Sequence, residues 1–347
     1  MSKSLSVTPA DNSARIAIIG CGAITEWFYA PALARRPSVL KKLILVDRDE
    51  ARAQRLAKQL NVNNYVGDYH QILDAVEGAI IAVPTHLHHP IGMEFLARGV
   101  PILCEKPLAE SAARAREMVN QAQQTGVALA TNHTRRLYPS FVRIRELLAN
   151  RTYGEPLSLE YLVGEEFKWP TVSGFYFDAA TSLRGVLLDV GSHIIDLICW
   201  WLGGKPELIA CHNDSFGGID AVTHVKFAHG KCIGDVKLSW LGKSTSRYSV
   251  ECETGTIEGG IYDYQSMVLT THSGHKRIVH LKADERYYSD FGHKLVDNFL
   301  NVAGRGEKPL VSGSDVLDSM EFIDQCYAAA SRFDMPWYDT SVLGDDQ

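Results

Sequence analysis

Two short motifs in this 347-residue chain combine side chains that could transfer a proton and stabilise a developing charge. In the first, Asp189 and His193 lie four residues apart, a spacing that places both on one face of a helix. A carboxylate orients a neighbouring imidazole and raises its basicity, and histidine titrates near pH ~6.5, which suits proton transfer at neutral pH. The same spacing also fits a helix-capping aspartate followed by a satisfied core histidine.

The second motif, Glu105-Lys106-Pro107, directly follows a continuous apolar run at residues 101–104. Such runs are typical of strands buried on both faces of a parallel sheet, and open α/β sheets bind ligands beyond the carboxyl ends of these strands. Lys106 could therefore reach the reactive end of a bound cofactor and stabilise negative charge on a reacting oxygen. Pro107 fixes the chain and is compatible with a cis peptide bond. As an isolated tripeptide, the motif fits a surface lysine better.

The elements that would position the second motif alternate between strand and helix over residues 15–134. Short apolar runs predict buried parallel strands at residues 16–19, 43–46, 79–83, 101–104 and 127–131. Helical stretches lie between them at residues 48–59, 87–98 and 111–125, and Gly126 is placed to cap the last of these. The alternation predicts an α/β fold with an N-terminal Rossmann doubly wound parallel sheet.

The first predicted strand runs into a glycine turn of the kind that holds a dinucleotide. Gly20 allows the tight turn, and Gly22 lets the backbone approach a pyrophosphate. The following helix would direct the N–H groups of its first residues, Ala23 and Ile24, at the phosphates. Thr25 replaces the third glycine of the usual pattern, so the match is looser than the full motif.

Asp47 ends the second predicted strand and favours NAD as the cofactor. An acidic side chain there accepts hydrogen bonds from a ribose 2′-hydroxyl and repels a 2′-phosphate. The next residue, Arg48, could instead hold a 2′-phosphate or stack on adenine, so NADP stays possible. A turn glycine pair followed by a helix-capping aspartate is the structural alternative.

The sequence divides into a flexible tail at residues 1–14, a first domain at residues 15–134 and a second domain at residues 135–347. For the second domain it predicts an α+β fold with a large, mostly antiparallel open sheet. Strands are expected at residues 157–163, 222–227, 232–238, 248–253 and 278–281, and helices at residues 138–149, 192–202, 291–303 and 315–333. Arg136 could meet a polar or anionic substrate group or form a surface salt bridge. The aromatic segment 164–177, which includes Tyr176, suits either a wall for a sugar ring or packing on the domain or a partner subunit.

These motifs together resemble the Gfo/Idh/MocA oxidoreductase family, which includes glucose–fructose oxidoreductase and inositol dehydrogenase. The resemblance spans about residues 15–339 and is carried by Gly20-Cys21-Gly22, Ala82-Val83-Pro84-Thr85-His86-Leu87-His88, Cys104-Glu105-Lys106-Pro107-Leu108, Arg136 with Pro139, Gly154-Glu155-Pro156 and Asp189-Val190-Gly191-Ser192-His193. It implies a Rossmann domain, a C-terminal sheet domain often used for oligomerisation, and a tightly held nicotinamide cofactor. It also implies cofactor contacts from Pro84, Thr85, His88 and Glu105, with His88 near the nicotinamide. The family usually has asparagine where this chain has Thr85.

The composition argues against several other classes of protein. Lys and Arg number 35 and Asp and Glu number 41, so a net charge of −6 disfavours a nucleic-acid or anionic-membrane binder. The seven scattered cysteines contain no C-x-x-C and predict buried thiols in a reducing compartment. His86, His88 and His89 have no acidic or cysteine ligand close by, so no metal is expected. Because the N-terminus lacks an apolar h-region, a cytoplasmic protein is expected.

The resulting hypothesis is an NAD(P)-dependent dehydrogenase that acts on CH–OH groups of a sugar, cyclitol or related polyol. His193 would take or supply the hydroxyl proton, Asp189 would orient His193 or hold a neighbouring hydroxyl, and Lys106 would polarise the reacting oxygen. A homodimer or homotetramer is expected. Two alternatives remain: a redox-neutral glycosidase that uses NAD transiently, and a non-catalytic dinucleotide-binding regulator. Lys106, Asp189 and His193 together argue against the regulator.

Overall fold

The computed structural model describes residues 15–170, 184–215, 218–285 and 287–333. The predicted tail at residues 1–14 and the candidate Tyr176 lie outside these ranges. By contacts the chain divides into two units. The first contains the described residues up to Arg143, with Trp169, Pro170 and the segment 281–321; the second contains the intervening segments and residues from Phe322 onward. The domain boundary expected between residues 134 and 135 stays a prediction.

The strands of the described residues form two sheets. They are β1 (Ile16–Ile19), β2 (Ile44–Val46), β3 (Asn64–Val66), β4 (Gly78–Ile81), β5 (Ile102–Cys104), β6 (Leu129–Thr131), β7 (Pro156–Gly164), β8 (Glu207–Asn213), β9 (Val222–His229), β10 (Cys232–Ser239), β11 (Arg247–Cys252), β12 (Gly255–Gly260), β13 (Ser266–Thr271), β14 (Lys276–His280) and β15 (Ser331–Arg332). The first sheet has the order β3-β2-β1-β4-β5-β6 and is parallel throughout. This order is the doubly wound arrangement that the sequence predicts.

The helices occur in both units. They are α1 (Ala30–Ala34), α2 (Pro37–Leu40), α3 (Glu50–Leu60), α4 (His88–Ala97), α5 (Ala112–Thr125), α6 (Pro139–Ala149), α7 (Val186–Leu202), α8 (Tyr288–Arg305) and α9 (Leu317–Ala328). Helix α5 begins after Ser111, whose side chain accepts the Arg114 N–H, and ends at Gly126 with φ +70°. Because that φ favours glycine, the predicted cap at Gly126 is confirmed.

The first sheet is buried on both faces, which explains why its strands are apolar at successive positions. Ile16 and Ile18 face one hydrophobic cluster, whereas Ala17 and Ile19 face the other. Phe299 of α8 packs in the cluster with Ile16, so a late segment of the chain completes the core of the first unit. Strand β3 is a half-buried edge strand. Its polar start and partial exposure hide it from a search for apolar runs.

The second sheet lies in the second unit and has the order β14-β13-β12-β11-β7-β10-β9-β8-β15. Its pairings are antiparallel except for β7 with β10 and β8 with β15. Buried and exposed residues alternate along β10, and α7 packs against β9 and β10. The large, mostly antiparallel sheet expected from the sequence is therefore confirmed.

Two further expectations concern the last helix and the cysteines. The helix expected at residues 315–333 ends at Ala328, because Ser331 and Arg332 pair with His212 and Asn213 as a strand. Strand pairing there outweighs the helix propensity of the preceding alanines. All seven cysteines are buried free thiols, as predicted. No helix in the described part of the chain has the length and apolarity needed to cross a membrane.

Candidate active site and dinucleotide site

The turn after β1 has room for glycine alone at its first position. Gly20 has φ +100°, and its N–H donates a hydrogen bond to the Val46 carbonyl at 2.8 Å. A Cβ at this position would lie 2.7 Å from the carbonyl carbon of Ala82. The Thr25 hydroxyl donates to the Gly20 carbonyl at 2.6 Å and is buried. Thr25 therefore replaces the third glycine of the usual pattern with a side chain that fastens the turn.

The residues after Gly20 open a helix, and this geometry fits a pyrophosphate. Gly22, Ala23 and Ile24 are half-buried at the start of the helix, where N–H groups and the positive end of the dipole favour anions. The helix is π-helical over Thr25–Tyr29 and becomes α-helical at α1. Pro31 explains this change, because it has no N–H and its ring clashes with the carbonyl four residues earlier.

Asp47, at the end of β2, accepts hydrogen bonds from three parts of its own chain. Its Oδ2 accepts the Cys21 N–H at 2.9 Å, and its Oδ1 accepts the Asp49 N–H at 2.9 Å. The Arg52 guanidinium lies 3.2 Å from both oxygens. The adjacent candidate, Arg48, is exposed. Arg52 did not emerge from the sequence analysis, although its i, i+3 spacing from Asp49 on a predicted helix is a recognisable pair signal.

Glu105, directly after β5, is the centre of a buried hydrogen-bond network. Its Oε1 accepts the Tyr29 hydroxyl at 2.7 Å and the Asn132 side-chain N–H at 2.6 Å. The Thr134 hydroxyl donates a hydrogen bond to the side-chain oxygen of Asn132, Oδ1. The side-chain NH2 group of Asn132 must therefore face Glu105. Burial raises the pKa of Glu105, and the donors from Tyr29 and Asn132 oppose the rise. The network fixes the carboxylate in one orientation.

Lys106 takes its position from this network. Its backbone N–H donates to Glu105 Oε2 at 3.2 Å, the side chain is half-buried, and the Lys106–Pro107 peptide bond is cis. Burial, followed by the negative charge of Glu105, raises the pKa of Tyr29 well above its usual range. Tyr29 is therefore a neutral donor. Tyr29 and Asn132 were not predicted; the position of Asn132 just after β6, at the carboxyl edge of the sheet, was the available signal.

His88 joins the two loops that carry the predicted cofactor contacts. Its Nδ1 lies 2.8 Å from the Pro107 carbonyl oxygen and its Nε2 lies 2.8 Å from the Val83 carbonyl oxygen. Burial lowers the pKa of His88 to about 4, so the ring is neutral at pH 7 and donates one N–H. Pro84 and Thr85 directly follow Val83 and begin a short helical turn. The imidazole thus lies between this segment and the loop of Lys106, and its one N–H donates to one of the two carbonyl oxygens.

The candidate acid–base pair lies near the start of α7, in the second unit. Asp189 and His193 are half-buried, whereas Leu188, Ser192 and Ile194 beside them are buried. The helical spacing expected from the sequence is present, since α7 includes both residues. Asp196, less than one turn beyond His193 on the same helix, is buried. The pair therefore lies on the part of the helix that the core leaves accessible.

Asp220 caps the N-terminus of α7. Its carboxylate accepts the N–H groups of Gly185 at 2.8 Å and Leu187 at 2.9 Å. The Tyr327 hydroxyl donates to Asp220 at 2.8 Å and accepts the Leu188 N–H at 3.1 Å. A Cβ at Gly185 would lie 2.8 Å from the Asp220 carbonyl carbon, so the approach requires glycine. Nothing in the local sequence marks Asp220 or Tyr327, because their partners are distant along the chain.

Arg136 and the histidine cluster complete the predicted set. Arg136 is buried in a short helical turn after β6 and donates to the Asp315 carbonyl at 2.9 Å. His89 lies 2.7 Å from a Glu117 oxygen on the neighbouring helix. Among residues 15–170, 184–215, 218–285 and 287–333, no group of three potential ligands is placed to hold a metal. The structure thus gathers Glu105, Lys106 and His88 in the first unit and Asp189 with His193 in the second.

The fold and the two groups define a class: a dinucleotide-binding Rossmann unit combined with a mixed-sheet unit. Comparison with known families agrees with this class. Residues 14–133 match the oxidoreductase family with an NAD-binding Rossmann fold, and residues 141–258 match the GFO/IDH/MocA C-terminal domain. The chain belongs to the Gfo/Idh/MocA family of NAD(P)-dependent oxidoreductases. The prediction of the family, the nicotinamide cofactor and the oxidoreductase class is confirmed.

Individual relatives cover most of the chain at low identity. D-xylose 1-dehydrogenase (NADP(+)) 2 of Haloferax volcanii is 26% identical over 330 residues, which are 90% of this chain and 96% of that protein. Trans-1,2-dihydrobenzene-1,2-diol dehydrogenase of Mus musculus is 30% identical over 203 residues, 56% of this chain and 59% of that protein.

Solved structures show the same fold. Levoglucosan dehydrogenase in complex with NADH and levoglucosan superposes with a TM-score of 0.79 at 16% identity, covering 90% of this chain and 96% of that one. A 3-ketoreductase from Actinomadura kijaniata in complex with NADP gives a TM-score of 0.80 at 20% identity, covering 93% of this chain and 100% of that one.

Proposed function

We propose that the protein transfers a hydride between a nicotinamide cofactor and a hydroxyl or keto carbon of a sugar, cyclitol or related polyol. The observation that carries this proposal is Lys106, held at the carboxyl end of β5 by the buried Glu105. A cation at that edge of a Rossmann sheet suits a substrate oxygen on which negative charge develops. The names of the relatives, which include a D-xylose dehydrogenase and a dihydrodiol dehydrogenase, support the substrate class.

The proposed roles follow from the chemistry of each side chain. In the oxidation direction His193 accepts the hydroxyl proton while the carbon-bound hydrogen leaves as hydride; in reduction His193 returns the proton. Asp189 orients His193 or holds a neighbouring hydroxyl, and the Lys106 ammonium polarises the reacting oxygen. Arg136 and Tyr176 contact the substrate. The cofactor, when bound, supplies or accepts the hydride.

The cofactor contacts of the proposal divide along the first sheet. Gly20 shapes the turn, the backbone N–H groups of Gly22, Ala23 and Ile24 receive the pyrophosphate, and Asp47 with Arg48 lies at the adenosine ribose. The nicotinamide half lies against Pro84, Thr85, His88, Glu105 and Lys106. Support for this division comes from the half-buried helix start after Gly20 and from the His88 bridge between the two loops.

We also propose that the protein forms a homodimer or homotetramer in the cytoplasm. Ile209 and Ile233 of the second sheet are more than half exposed, at 54% and 52%, which suits a surface covered by another copy. Light scattering after size-exclusion chromatography tests the assembly. A monomer at all concentrations would contradict it.

The test of the reaction is a cofactor and substrate screen at the reduced-nicotinamide absorbance band. The purified protein is mixed with NAD or NADP and a panel of sugars, inositols and sugar acids, and with NADH or NADPH and keto-sugars. Activity is expected to fall about 10²- to 10³-fold in Lys106→Ala, because a charge-stabilising donor is lost. His193→Ala should lose about 10²- to 10⁴-fold, the usual contribution of a general base.

Each result of the screen has a defined meaning. A signal that Lys106→Ala retains in full, with the fold intact, would remove Lys106 from the mechanism. If the protein binds a dinucleotide but no substrate changes the redox state of that cofactor, the dehydrogenase hypothesis is contradicted. Such a result favours the redox-neutral glycosidase or the regulator. Release of a free sugar from a glycoside by the same preparation would then separate these two.

A further inference from the structure

The second sheet ends in an exposed edge strand, β14. In the part of the chain that the structure describes, β14 pairs with β13 on one side and has no strand on the other. Four of its five residues are exposed, and the register with β13 is unbroken. The strand contains no proline, so each of its residues has both an N–H and a C=O group. Such an edge can accept another extended segment as an additional strand.

This edge is cationic, although the whole chain has a net charge of −6. Residues 264–280 include one lysine, one arginine and three histidines but no aspartate or glutamate. Lys276 and Arg277 are exposed and form no ion pair with another described residue. Because side chains alternate along a strand, these two cations lie on opposite faces of the sheet. The edge therefore offers a positive charge on each face to an acidic partner.

The same chain contains an acidic segment that complements this edge. Residues 334–347, which lie outside the described ranges, include four aspartates and no lysine or arginine. The stretch from Trp337 to Val342 also contains tyrosine and threonine, so four of its six residues favour strands. Opposite charges on neighbouring strands are stabilising. Residues 334–347 thus match β14 in charge and in strand propensity.

The acidic segment is too short to pair with β14 of its own chain. It follows β15, which lies at the opposite edge of the nine-stranded sheet. Nine strands are separated by eight steps of about 4.8 Å, so the two edges are about 38 Å apart. An extended chain advances about 3.4 Å per residue, so about 11 of the 14 residues would be used in the crossing. A second copy of the chain can present the whole segment.

We propose that residues 334–347 of one copy add as a strand to the free edge of β14 in a second copy. The backbone of the added segment pairs with the N–H and C=O groups of β14, and its aspartates face Lys276 and Arg277. This contact is separate from the exposed Ile209 and Ile233, which lie on β8 and β10. The proposal concerns assembly alone, so it fails or succeeds independently of the reaction and the substrate.

The experiment exchanges the charges of the two surfaces in the full chain and measures the dissociation constant of the assembly by analytical ultracentrifugation. In Lys276→Glu with Arg277→Glu the constant should rise at least about tenfold, or about 1.4 kcal/mol, because like charges then face each other. Asp339→Lys with Asp345→Lys should weaken the assembly in the same way. All four changes in one chain restore opposite charges and should return the constant to within about threefold of the wild type.

The matched control makes the same change of charge elsewhere on the surface. Arg55→Glu with Lys58→Glu replaces two exposed cations of α3 in the first unit and should leave the constant unchanged. Thermal unfolding of every variant identifies any loss of folding. Recovery in the fourfold variant separates a charge contact from misfolding, because a misfolded edge would not be repaired by changes in the distant segment.

Cross-linking between two different chains locates the contact. One chain carries Ile278→Cys, the other carries Ser341→Cys, and a short bis-maleimide is added to the mixture. The native cysteines of the chain are buried, so the new thiols react first. A product that joins one chain of each kind is expected and is identified by mass spectrometry. Leu241→Cys in place of Ile278→Cys should give no such product, although Leu241 is 69% exposed in the same unit.

Three outcomes would overturn the inference. The first is a wild-type assembly whose constant is the same in both charge-reversed variants, which would mean that Lys276 and Arg277 only protect the edge from aggregation. The second is cross-linking of Leu241→Cys as efficient as that of Ile278→Cys. The third, a wild-type protein that is monomeric at all concentrations, would also contradict the proposed homodimer or homotetramer, whereas the first two leave that assembly intact.

Discussion

The carboxylate of Asp220 accepts a hydrogen bond from the backbone N–H of Gly185 at 2.8 Å, at the residue before α7 begins. The first N–H groups of a helix have no partner within the helix, so a buried acceptor there fixes where the helix starts. Asp189 and His193 follow within two turns. Their placement therefore depends on an aspartate about 30 residues further along the chain, which in turn accepts from Tyr327.

Removing the Tyr327 hydroxyl should loosen this cap. In Tyr327→Phe, Asp220 loses a donor and the Leu188 N–H loses an acceptor, so the free energy of unfolding should fall by about 1 to 3 kcal/mol. Urea denaturation measures the change. Tyr65→Phe, which removes an exposed hydroxyl that accepts from Gln54, is the matched control and should change stability by less than about 0.5 kcal/mol. Equal effects of the two variants would show that Tyr327 does not stabilise the cap.

Gly20→Ala should abolish dinucleotide binding. The new Cβ would lie 2.7 Å from the Ala82 carbonyl carbon, and the turn would have to move away from the helix start that receives the phosphates. NADH fluorescence titration should show an affinity loss of more than about 100-fold, or about 2.7 kcal/mol. Gly99→Ala is the control, because Gly99 also has a positive φ, of +72°, but nothing within 4 Å of an added Cβ. Retained binding by Gly20→Ala would mean that the turn can relax.

His88 makes stability depend on pH in the acidic range. Its pKa falls from 6.5 to about 4 on folding, because burial disfavours the charged ring. The unfolded chain therefore binds more protons between these values, and the free energy of unfolding should rise with pH from about 4 to 6.5, by about 3 kcal/mol from this group. Chemical denaturation at successive pH values should show a smaller rise in His88→Gln, which still offers an amide donor.

The control for this prediction is His275→Gln, which changes an exposed histidine of the second unit and should keep the wild-type pH dependence. A His88→Gln profile parallel to that of the wild type would assign the dependence to other groups.

Tyr29→Phe should destabilise the protein more as the pH rises. Tyr29 donates to Glu105, whose pKa burial already raises above 4.5, so losing the donor raises that pKa further. At pH values where Glu105 is ionised in the unfolded chain but protonated in the folded protein, the free energy of unfolding falls as the pH rises. The difference in unfolding free energy between the variant and the wild type should therefore grow as the pH rises through the pKa of Glu105 in the folded wild type, which burial holds above 4.5. A difference that is constant with pH would show that Tyr29 acts on Glu105 by packing alone.

The sequence predicted those parts of the fold that depend on local pattern. Continuous apolar runs predicted β1, β2, β4, β5 and β6, because a strand buried on both faces must be apolar at every position. Glycine turns and the motifs at Lys106, Asp189 and His193 were also visible. The half-buried edge strand β3 and the short β15 were not, because pairing rather than pattern creates them.

The supporting residues of the site could not be predicted for a different reason. Tyr29 and Glu105 are 76 residues apart, and Asp220 and Tyr327 are 107 residues apart. Each is an ordinary polar residue in its own segment and gains its role only through tertiary contact. Asp47 and Arg52 are only five residues apart in the chain. Residue types alone nevertheless do not reveal that the Arg52 guanidinium donates to both oxygens of the Asp47 carboxylate.

The burial pattern of α7 has a consequence for how this enzyme can diversify. In the first two turns of the helix, the core encloses the side chains of Val186, Leu187, Leu188 and Ser192, whereas Asp189, Val190 and His193 are half-buried. If Asp189 and His193 are held constant by chemistry, Val190 is the position where a new side chain would disturb the core least. Variant libraries that aim to change the substrate range without loss of folding should begin at Val190. Among natural relatives, sequence differences that change which substrates are accepted should concentrate at the same position.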